Sequence, residues 1–235
     1  MTAKIIEDPD LRDRWGVFGD RREAGEHLAR FVERWRGEDA MVLAIPSGGV
    51  PIGLAVSEDL DLPLDLLIIR KIPIPGNPEA GFGAISLEGD LVLNPPLVRM
   101  LGLSAEEIEE LSKPVREELE ERNRLFREGR PEPVLRGKIA ILVDDGLASG
   151  YTMMAAVRMV RRREPSRIVV AVPTASLGTV RLLAEEVDEI ACPNIRSGAS
   201  FAVADAYRNW YDLSREEVLK LLRDHDLLEE PRGRL

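Results

Sequence analysis

Short apolar runs alternate with amphipathic helical stretches along almost the whole chain, and this rhythm constrains the fold more than any other feature. "DAMVLAIP" (39–46) is followed by a glycine-rich turn and the helical "GLAVSEDL". "KIAILVDD" (138–145) is followed by another such turn and "YTMMAAVRMVRRR", and "RIVVAVP" by "SLGTVRLLAEEV" and "DEIACP". Uninterrupted apolar strands separated by helices imply a parallel sheet buried on both faces, because each crossover helix must cover one face. The predicted fold is therefore α/β, a twisted, mostly parallel sheet flanked by helices. Two further helices are marked by their own caps. Asp20 precedes "RREAGEHLARFVERW" with Glu23 three residues on, and Ser214 precedes "REEVLKLLRDHDLL" with Glu217 at the same spacing.

The rhythm breaks once. "PLDLLIIRKI" (63–72) reads as one strand with a cationic exit at Arg70 and Lys71, and "PIPGNPEAGFGAISLEGDLVLNPP" (73–96) then crowds prolines and glycines. Within it "GAISLEGDLVLN" is a hairpin pattern turning at Glu88-Gly89-Asp90. Ser104 and Glu107 form a capping box opening a charged helix to about Arg127, which Pro114 is expected to kink or divide. The expected organisation is one domain over residues 1–235, with this hairpin and long helix inserted at about 73–130.

Composition narrows the function. With 42 acidic against 32 basic residues the formal net charge is −10, which argues against a nucleic-acid surface. The densest basic run, Arg161-Arg162-Arg163, falls late in a helix, where cations suit the helix dipole. No apolar run reaches the roughly 18 residues of a membrane span, and the N-terminus lacks a secretory pattern, so a soluble, cytoplasmic protein is expected. The single cysteine, Cys192, excludes an internal disulfide and reads as a buried residue, not a nucleophile. His27 and His225 share no metal-ligand spacing. "GFGAIS" fails as a dinucleotide fingerprint and no GxxxxGK[ST] loop exists, which disfavours a nucleotide triphosphatase.

The candidate chemistry gathers at strand ends, where parallel sheets bind ligands. In "ILVDDGLASGYTM" (141–153) the glycines Gly146 and Gly150, the hydroxyls of Ser149 and Thr152 and the start of a helix near Tyr151 make a concavity of donors suited to a phosphate dianion. Asp144 and Asp145 would repel that phosphate, so they suit something attached to it: the vicinal hydroxyls of a sugar, or a divalent cation. A phosphate cradle beside two acids reads as a ribose 5-phosphate site. The plainer alternative is an acidic turn that caps a helix.

The same residues resemble the phosphoribosyl pyrophosphate signature of the type I phosphoribosyltransferases, strongly over 141–153 and more weakly over roughly 40–75 and 135–195, and the chain looks like a bacterial branch of that family. The resemblance implies that Asp144 and Asp145 serve the ribose hydroxyls, directly or through Mg²⁺, and that Gly146, Leu147, Ala148, Ser149, Gly150, Tyr151 and Thr152 hold the 5-phosphate. It implies that Ser47, Gly48 and Gly49 touch pyrophosphate through their backbone, that Arg70 and Lys71 stabilise it as it leaves, and that 73–86 is a mobile loop closing over the reacting centre. Ser149 stands where the family usually has threonine and keeps the hydroxyl. Ala148 stands where 6-oxopurine members carry an aspartate that assists the base, which points away from that class.

The implied activity is transfer of ribose 5-phosphate from phosphoribosyl pyrophosphate to a nitrogenous base or related nucleophile, with Mg²⁺ as cofactor and a homodimer admissible. The rival readings are a non-catalytic sensor of phosphoribosyl pyrophosphate and, more weakly, a hydrolase of a phosphosugar or nucleotide. Tyr207, Trp210 and Tyr211 either stack on a base or anchor the C-terminal helix, the second being favoured.

Overall fold

The computed structural model describes residues 2–198 and 200–228. Its elements run β1 (Lys4–Ile6), α1 (Arg21–Val32), β2 (Ala40–Ala44), α2 (Gly49–Leu60), β3 (Leu64–Leu66), β4 (Ile69–Ile74), β5 (Asn77–Ser86), β6 (Leu91–Leu93), α3 (Pro95–Leu101), α4 (Ala105–Arg127) and β7 (Ile139–Val143). After these come α5 (Tyr151–Arg161), β8 (Arg167–Ala171), β9 (Thr174–Ser176), α6 (Leu177–Leu183), β10 (Glu189–Ala191), β11 (Asn194–Arg196) and α7 (Arg215–Asp224). Six strands form the main sheet in the order β1-β10-β8-β7-β2-β3, every pair parallel. The mostly parallel, helix-flanked sheet is the architecture the strand–helix rhythm requires.

Alternation along β7 shows why its sequence is apolar throughout. Ile141 and Val143 join the core beneath α1 and α2, while Ala140 and Leu142 join the core beneath α5. Both faces are covered, so no position is left for a polar residue until the strand ends. The chain leaves β2 through α2 toward β3 on one side and leaves β7 through α5 toward β8 on the other. The connections diverge between β2 and β7, which opens a crevice at their carboxyl ends.

The chain between β3 and β7 departs from the sequence expectation in three ways. "PLDLLIIRKI" is two strands in different sheets: β3 closes the main sheet, and β4 begins an antiparallel sheet of order β4-β5-β6. Residues 73–86 therefore lie largely in paired strands with a register irregularity at Pro73, and the segment expected to be a loop is a β-hairpin. Arg70 and Lys71 fall inside a strand, and adjacent strand residues point to opposite faces. Pro114 does not divide α4, which runs unbroken for 23 residues from a complete Ser104–Glu107 capping box. The apolar run 66–69 is equally compatible with either strand arrangement, and only the partner strand β5 decides between them.

The small sheet is held from both sides. Ile72, Phe82 and Ile85 share the core that takes in Ile108, Val115 and Leu119 of α4. Ile69, Ala84 and Val92 face the core of α5. At the base of the hairpin Arg163 reaches Glu88 at 2.5 Å and Arg162 pairs with Asp90, so the basic run at the end of α5 clamps the β5–β6 turn. The far end of α4 is fixed by buried Arg127, which grips Asp65 of β3 at 2.7 Å. Among the described residues no helix is long and apolar enough to cross a membrane.

Candidate active site at the carboxyl ends of β2 and β7

The turn after β7 is shaped by contacts that aim its amides outward. Leu147 is turned into the core, its N–H donating to Thr174 O at 3.0 Å while its carbonyl accepts from Ser176 N at 3.1 Å. The carbonyl of Ala148 accepts from the Ser176 hydroxyl at 3.4 Å and from the Thr179 hydroxyl. Because C=O and N–H of one peptide point in opposite directions, anchoring that carbonyl turns the Ser149 amide away from α6. Gly150 takes φ +79°, and a Cβ there would lie 2.5 Å from Thr179 Cγ2, so only glycine fits the bend that starts α5. The amides of residues 148–152 donate to no acceptor among the described residues. A helix start with open amides is an anion site.

These amides border a cavity of about 360 Å³. Asp144, Gly146 to Met153 and Val203 form one wall; Lys71, Ala80, Gly81 and Gly83 of the hairpin form the other. Ser149 and Thr152 are among the residues of the first wall. The volume falls in the range of small-ligand sites.

The two acids differ in their surroundings. Asp144 borders the cavity, and its Oδ1 accepts the Asp145 amide at 2.9 Å. Burial, and then the charge of Asp145, push its carboxyl well above the usual carboxylate range. Asp145 Oδ2 accepts from Arg21 Nε at 2.9 Å, and the side chain stays 16% exposed. Burial pushes this carboxyl up as well, while the Arg21 guanidinium pulls it back. Arg21 also donates to Tyr211 O at 2.8 Å and lies over the Trp210 ring at 3.9 Å. The Tyr207 hydroxyl donates to the Asp145 carbonyl at 2.6 Å.

The structure brings some of the expected residues together and not others. Asp144, Gly146, Leu147, Ala148, Ser149, Gly150, Tyr151, Thr152 and Lys71 meet at the cavity. Gly48 and Gly49 pack against the acid turn, and neither they nor Ser47 are among the residues lining this cavity. A Cβ on Gly48 would collide with the Asp145 carboxylate, and one on Gly49 would lie 2.7 Å from Val143 O. Arg70 is directed to α4, where it meets Glu118 at 2.7 Å beside Arg122. Cys192 is buried, and burial pushes its thiol far up, as an inert core residue requires.

Sequence reasoning missed Arg21, Tyr207 as an anchor of the acid turn, and Val203. Arg21 did leave a signal. It occupies the same helical stripe as buried Ala24 and Leu28, an i, i+3, i+7 spacing on which an arginine needs a partner. Tyr207, Trp210 and Tyr211 neither stack on the cavity nor merely hold α7. Trp210 and Tyr211 fasten the C-terminal segment to Asp145 through Arg21, and Tyr207 does so directly through its hydroxyl.

Among the described residues no cluster of three or more histidine, cysteine, aspartate or glutamate side chains could cage a metal. That donor set still fits Mg²⁺, which is commonly held by one or two carboxylates with water and substrate oxygens completing its shell. Asp144, at the cavity wall, is the carboxylate placed to contribute.

The profile described as "Phosphoribosyl transferase domain" matches residues 21–206, and the chain belongs to that family. The Mycobacterium tuberculosis proteins Rv0571c (strain H37Rv) and MT0597 (strain CDC 1551), each provisionally named a phosphoribosyl transferase, are 38% identical to it over 206 residues. That match covers 88% of this chain and 46% of theirs, so the chain spans less than half the length of these curated relatives. The crystal structure of TT1426 from Thermus thermophilus superposes with a TM-score of 0.71 at 34% identity, covering 88% of this chain and 98% of that one.

Proposed function

We propose that the protein transfers ribose 5-phosphate from phosphoribosyl pyrophosphate to a nitrogenous acceptor and releases pyrophosphate. The observation that carries this reading is the pairing of open amides at residues 148–152 with the carboxylate of Asp144 on the same cavity wall. In this reading the amides, with the hydroxyls of Ser149 and Thr152, hold the 5-phosphate against the positive end of α5. Asp144 accepts hydrogen bonds from the ribose hydroxyls and so orients the ring. Positive charge develops at the anomeric carbon and negative charge on the departing pyrophosphate; Lys71, on the opposite wall, is placed to stabilise the latter. Mg²⁺, held by Asp144 together with substrate oxygens, would supply further neutralisation of the leaving group. The hairpin wall excludes water that would compete with the acceptor. No protein nucleophile is required.

A second reading, a sensor that binds phosphoribosyl pyrophosphate without turning it over, is favoured by one observation. Arg70, the other cation expected on the pyrophosphate side, is engaged by Glu118.

Thermal unfolding with phosphoribosyl pyrophosphate and Mg²⁺ tests the common element. At 100 times the dissociation constant the ligand should add about 2.7 kcal/mol. Pyrophosphate release across a panel of acceptor bases then separates transferase from sensor. No shift with phosphoribosyl pyrophosphate, ribose 5-phosphate or nucleoside monophosphates would defeat both.

A further inference from the structure

The proposed transfer needs room for a second substrate, and a second cavity lies beside the first. Its volume is about 450 Å³; it shares Ala148 and Ser149 of the cradle with the first cavity, and its other walls include Ser176, Arg196, Ser197 and Phe201. We propose that this cavity takes the ring of the nitrogenous acceptor, and that Arg196 is a specificity-determining residue selecting a neutral ring that bears a carbonyl oxygen. The ring's role as a substrate rests on the function proposed above; the preference of the cavity for such rings does not.

Arg196 ends β11, and its side chain is only 4% exposed although it borders the cavity. Its guanidinium carbon lies 3.8 Å from the Trp15 ring centroid and 5.5 Å from that of Phe201, so two aromatic rings hold the group. Nη1 donates to Asp205 Oδ2 at 2.9 Å, and the same oxygen accepts the Ala202 amide at 3.2 Å. Nε and Nη2 meet no acceptor among the described residues, and donors on so buried a side chain need one. The wall is braced from the start of the chain as well. Asp13 accepts the Ser197 amide at 2.6 Å, and buried Asn194 donates to Leu11 O at 2.5 Å and Arg14 O at 3.2 Å. Arg196 is thus in place before any ligand arrives.

The chemistry of the guanidinium sets the class of ring. It donates and never accepts, so an amino group facing it has no partner and is rejected. Charge decides between a carbonyl and a carboxylate. Asp205 already balances the cation, and the Asp13 carboxylate sits nearby, 2.9 Å from the Ser197 hydroxyl. A phosphate in the cradle adds further negative charge. A carboxylate on the ring would gain little against these, whereas a carbonyl needs only the two remaining donors. Phe201 supplies an apolar face for a flat ring.

The test titrates four matched rings at pH 7.5 by ligand-observed NMR, with and without phosphoribosyl pyrophosphate and Mg²⁺. Nicotinamide carries a neutral carbonyl, nicotinate a carboxylate, 3-aminopyridine an amino group, and pyridine none of these. Wild type is expected to bind nicotinamide at least about tenfold more tightly than each of the others, the worth of hydrogen bonds from a charged donor. Arg196→Met is expected to lose that preference, and Phe201→Leu to weaken all four rings while keeping it. For any carbonyl-bearing acceptor that supports pyrophosphate release, Arg196→Met should raise KM about tenfold and leave the affinity for phosphoribosyl pyrophosphate unchanged.

Failure of wild type to prefer nicotinamide over any one of the other rings, or to bind any of the four, would overturn the proposal. So would an Arg196→Met variant that weakens all four rings equally, since Arg196 would then be a structural tie to Trp15 and Asp205. If wild type does not bind phosphoribosyl pyrophosphate, the proposed function fails, and the titration without it still decides which rings the cavity takes. Should Arg196→Met not fold, Arg196→Lys keeps a cation for Asp205 while removing the planar fork, and the same loss of preference is expected.

Discussion

The turns after β2 and β7 share one local grammar: an apolar parallel strand, a small-residue bend, then a helix. They are neighbours in the sheet, yet their backbones are used differently. In the turn after β2, Gly49 N–H returns to Ile45 O at 3.0 Å and Val50 N–H to Ser47 O at 3.1 Å, and Gly48 is pressed against Asp145. In the turn after β7, the carbonyl of Ala148 is drawn off by Ser176 and Thr179, and the amides of 148–152 are left without an acceptor among the described residues. Both turns leave amides without an acceptor among the described residues, Ser47 and Gly48 in the first and 148–152 in the second. Glycine content does not separate the two turns. The first closes Gly49 and Val50 on its own carbonyls and packs Gly48 against an acid, whereas the second is anchored through its carbonyls by the segment at Ser176 and Thr179.

The sharpest way to break this contrast is at Asp144. Under the proposed function, Asp144→Asn should lower transfer activity by about 100- to 1,000-fold, because the charge proposed to meet the sugar is lost. The ligand-free protein should meanwhile be at least as stable. The sign follows from the raised carboxyl: folding favours its protonated form, so stability falls as pH rises from the unfolded value of 3.8 through the folded one, and the cost is in force at neutral pH. Unfolding curves at pH 7 beside a pyrophosphate-release assay check both halves. A variant that loses stability and activity together would make Asp144 a structural acid.

Next in size is a comparison of glycines. Gly150→Ala forces a side chain into the left-handed region and toward Thr179 Cγ2, and about 1–3 kcal/mol of stability should go with most of the phosphate affinity. Gly48→Ala should act through Asp145 instead, and its effect on ligand affinity should diminish in an Asp145→Asn background. Identical behaviour of the two variants in that background, measured by calorimetry, would erase the distinction between the turns.

Ser149→Ala should weaken binding of the 5-phosphate by roughly three- to tenfold, the usual worth of one hydroxyl donor. Ser47→Ala, outside the cavity lining, should change it less. Titration of both with inorganic phosphate and ribose 5-phosphate ranks them, and the reverse order would move the phosphate to the turn after β2.

The smallest expected effect lies away from both turns and serves as a control. His27 packs between Phe18 and Phe31, and burial pushes its pKa below the ordinary 6.5. Its contribution to stability is therefore present above pH 6.5 and fades as the pH falls through the lower folded value. The fall in Tm below pH 6.5 should be shallower in His27→Phe, with no change in ligand affinity at pH 7.5.

Much of this was legible in the residues. "KIAILVDD" reads as a strand covered on both faces, because it offers no polar position between Lys138 and Asp144. The pairs Ser104–Glu107 and Ser214–Glu217 announced their helices, and both form complete boxes. The cradle after β7 was readable because its glycines, hydroxyls and helix start are contiguous. Arg70 was not, because a strand exit and a hairpin strand look alike until β5 is seen beside it. Nor was the meaning of Arg162-Arg163, whose acidic partners Glu88, Asp90 and Glu132 lie far off in sequence.

The chain by itself determined what contiguous residues can settle: where strands and helices alternate, where the helices begin, and that two acids meet a donor-rich turn at a strand end. Periodicity and capping act over a few residues, so they survive in a linear reading. Only the tertiary structure decided that one of the acids is paired with a buried cation. That pairing joins Asp145 to Arg21, 124 residues away, with Tyr207 and Gly48 packed at the same residue. Two like charges side by side in sequence are equivalent, and a buried cation that reaches one of them makes them different.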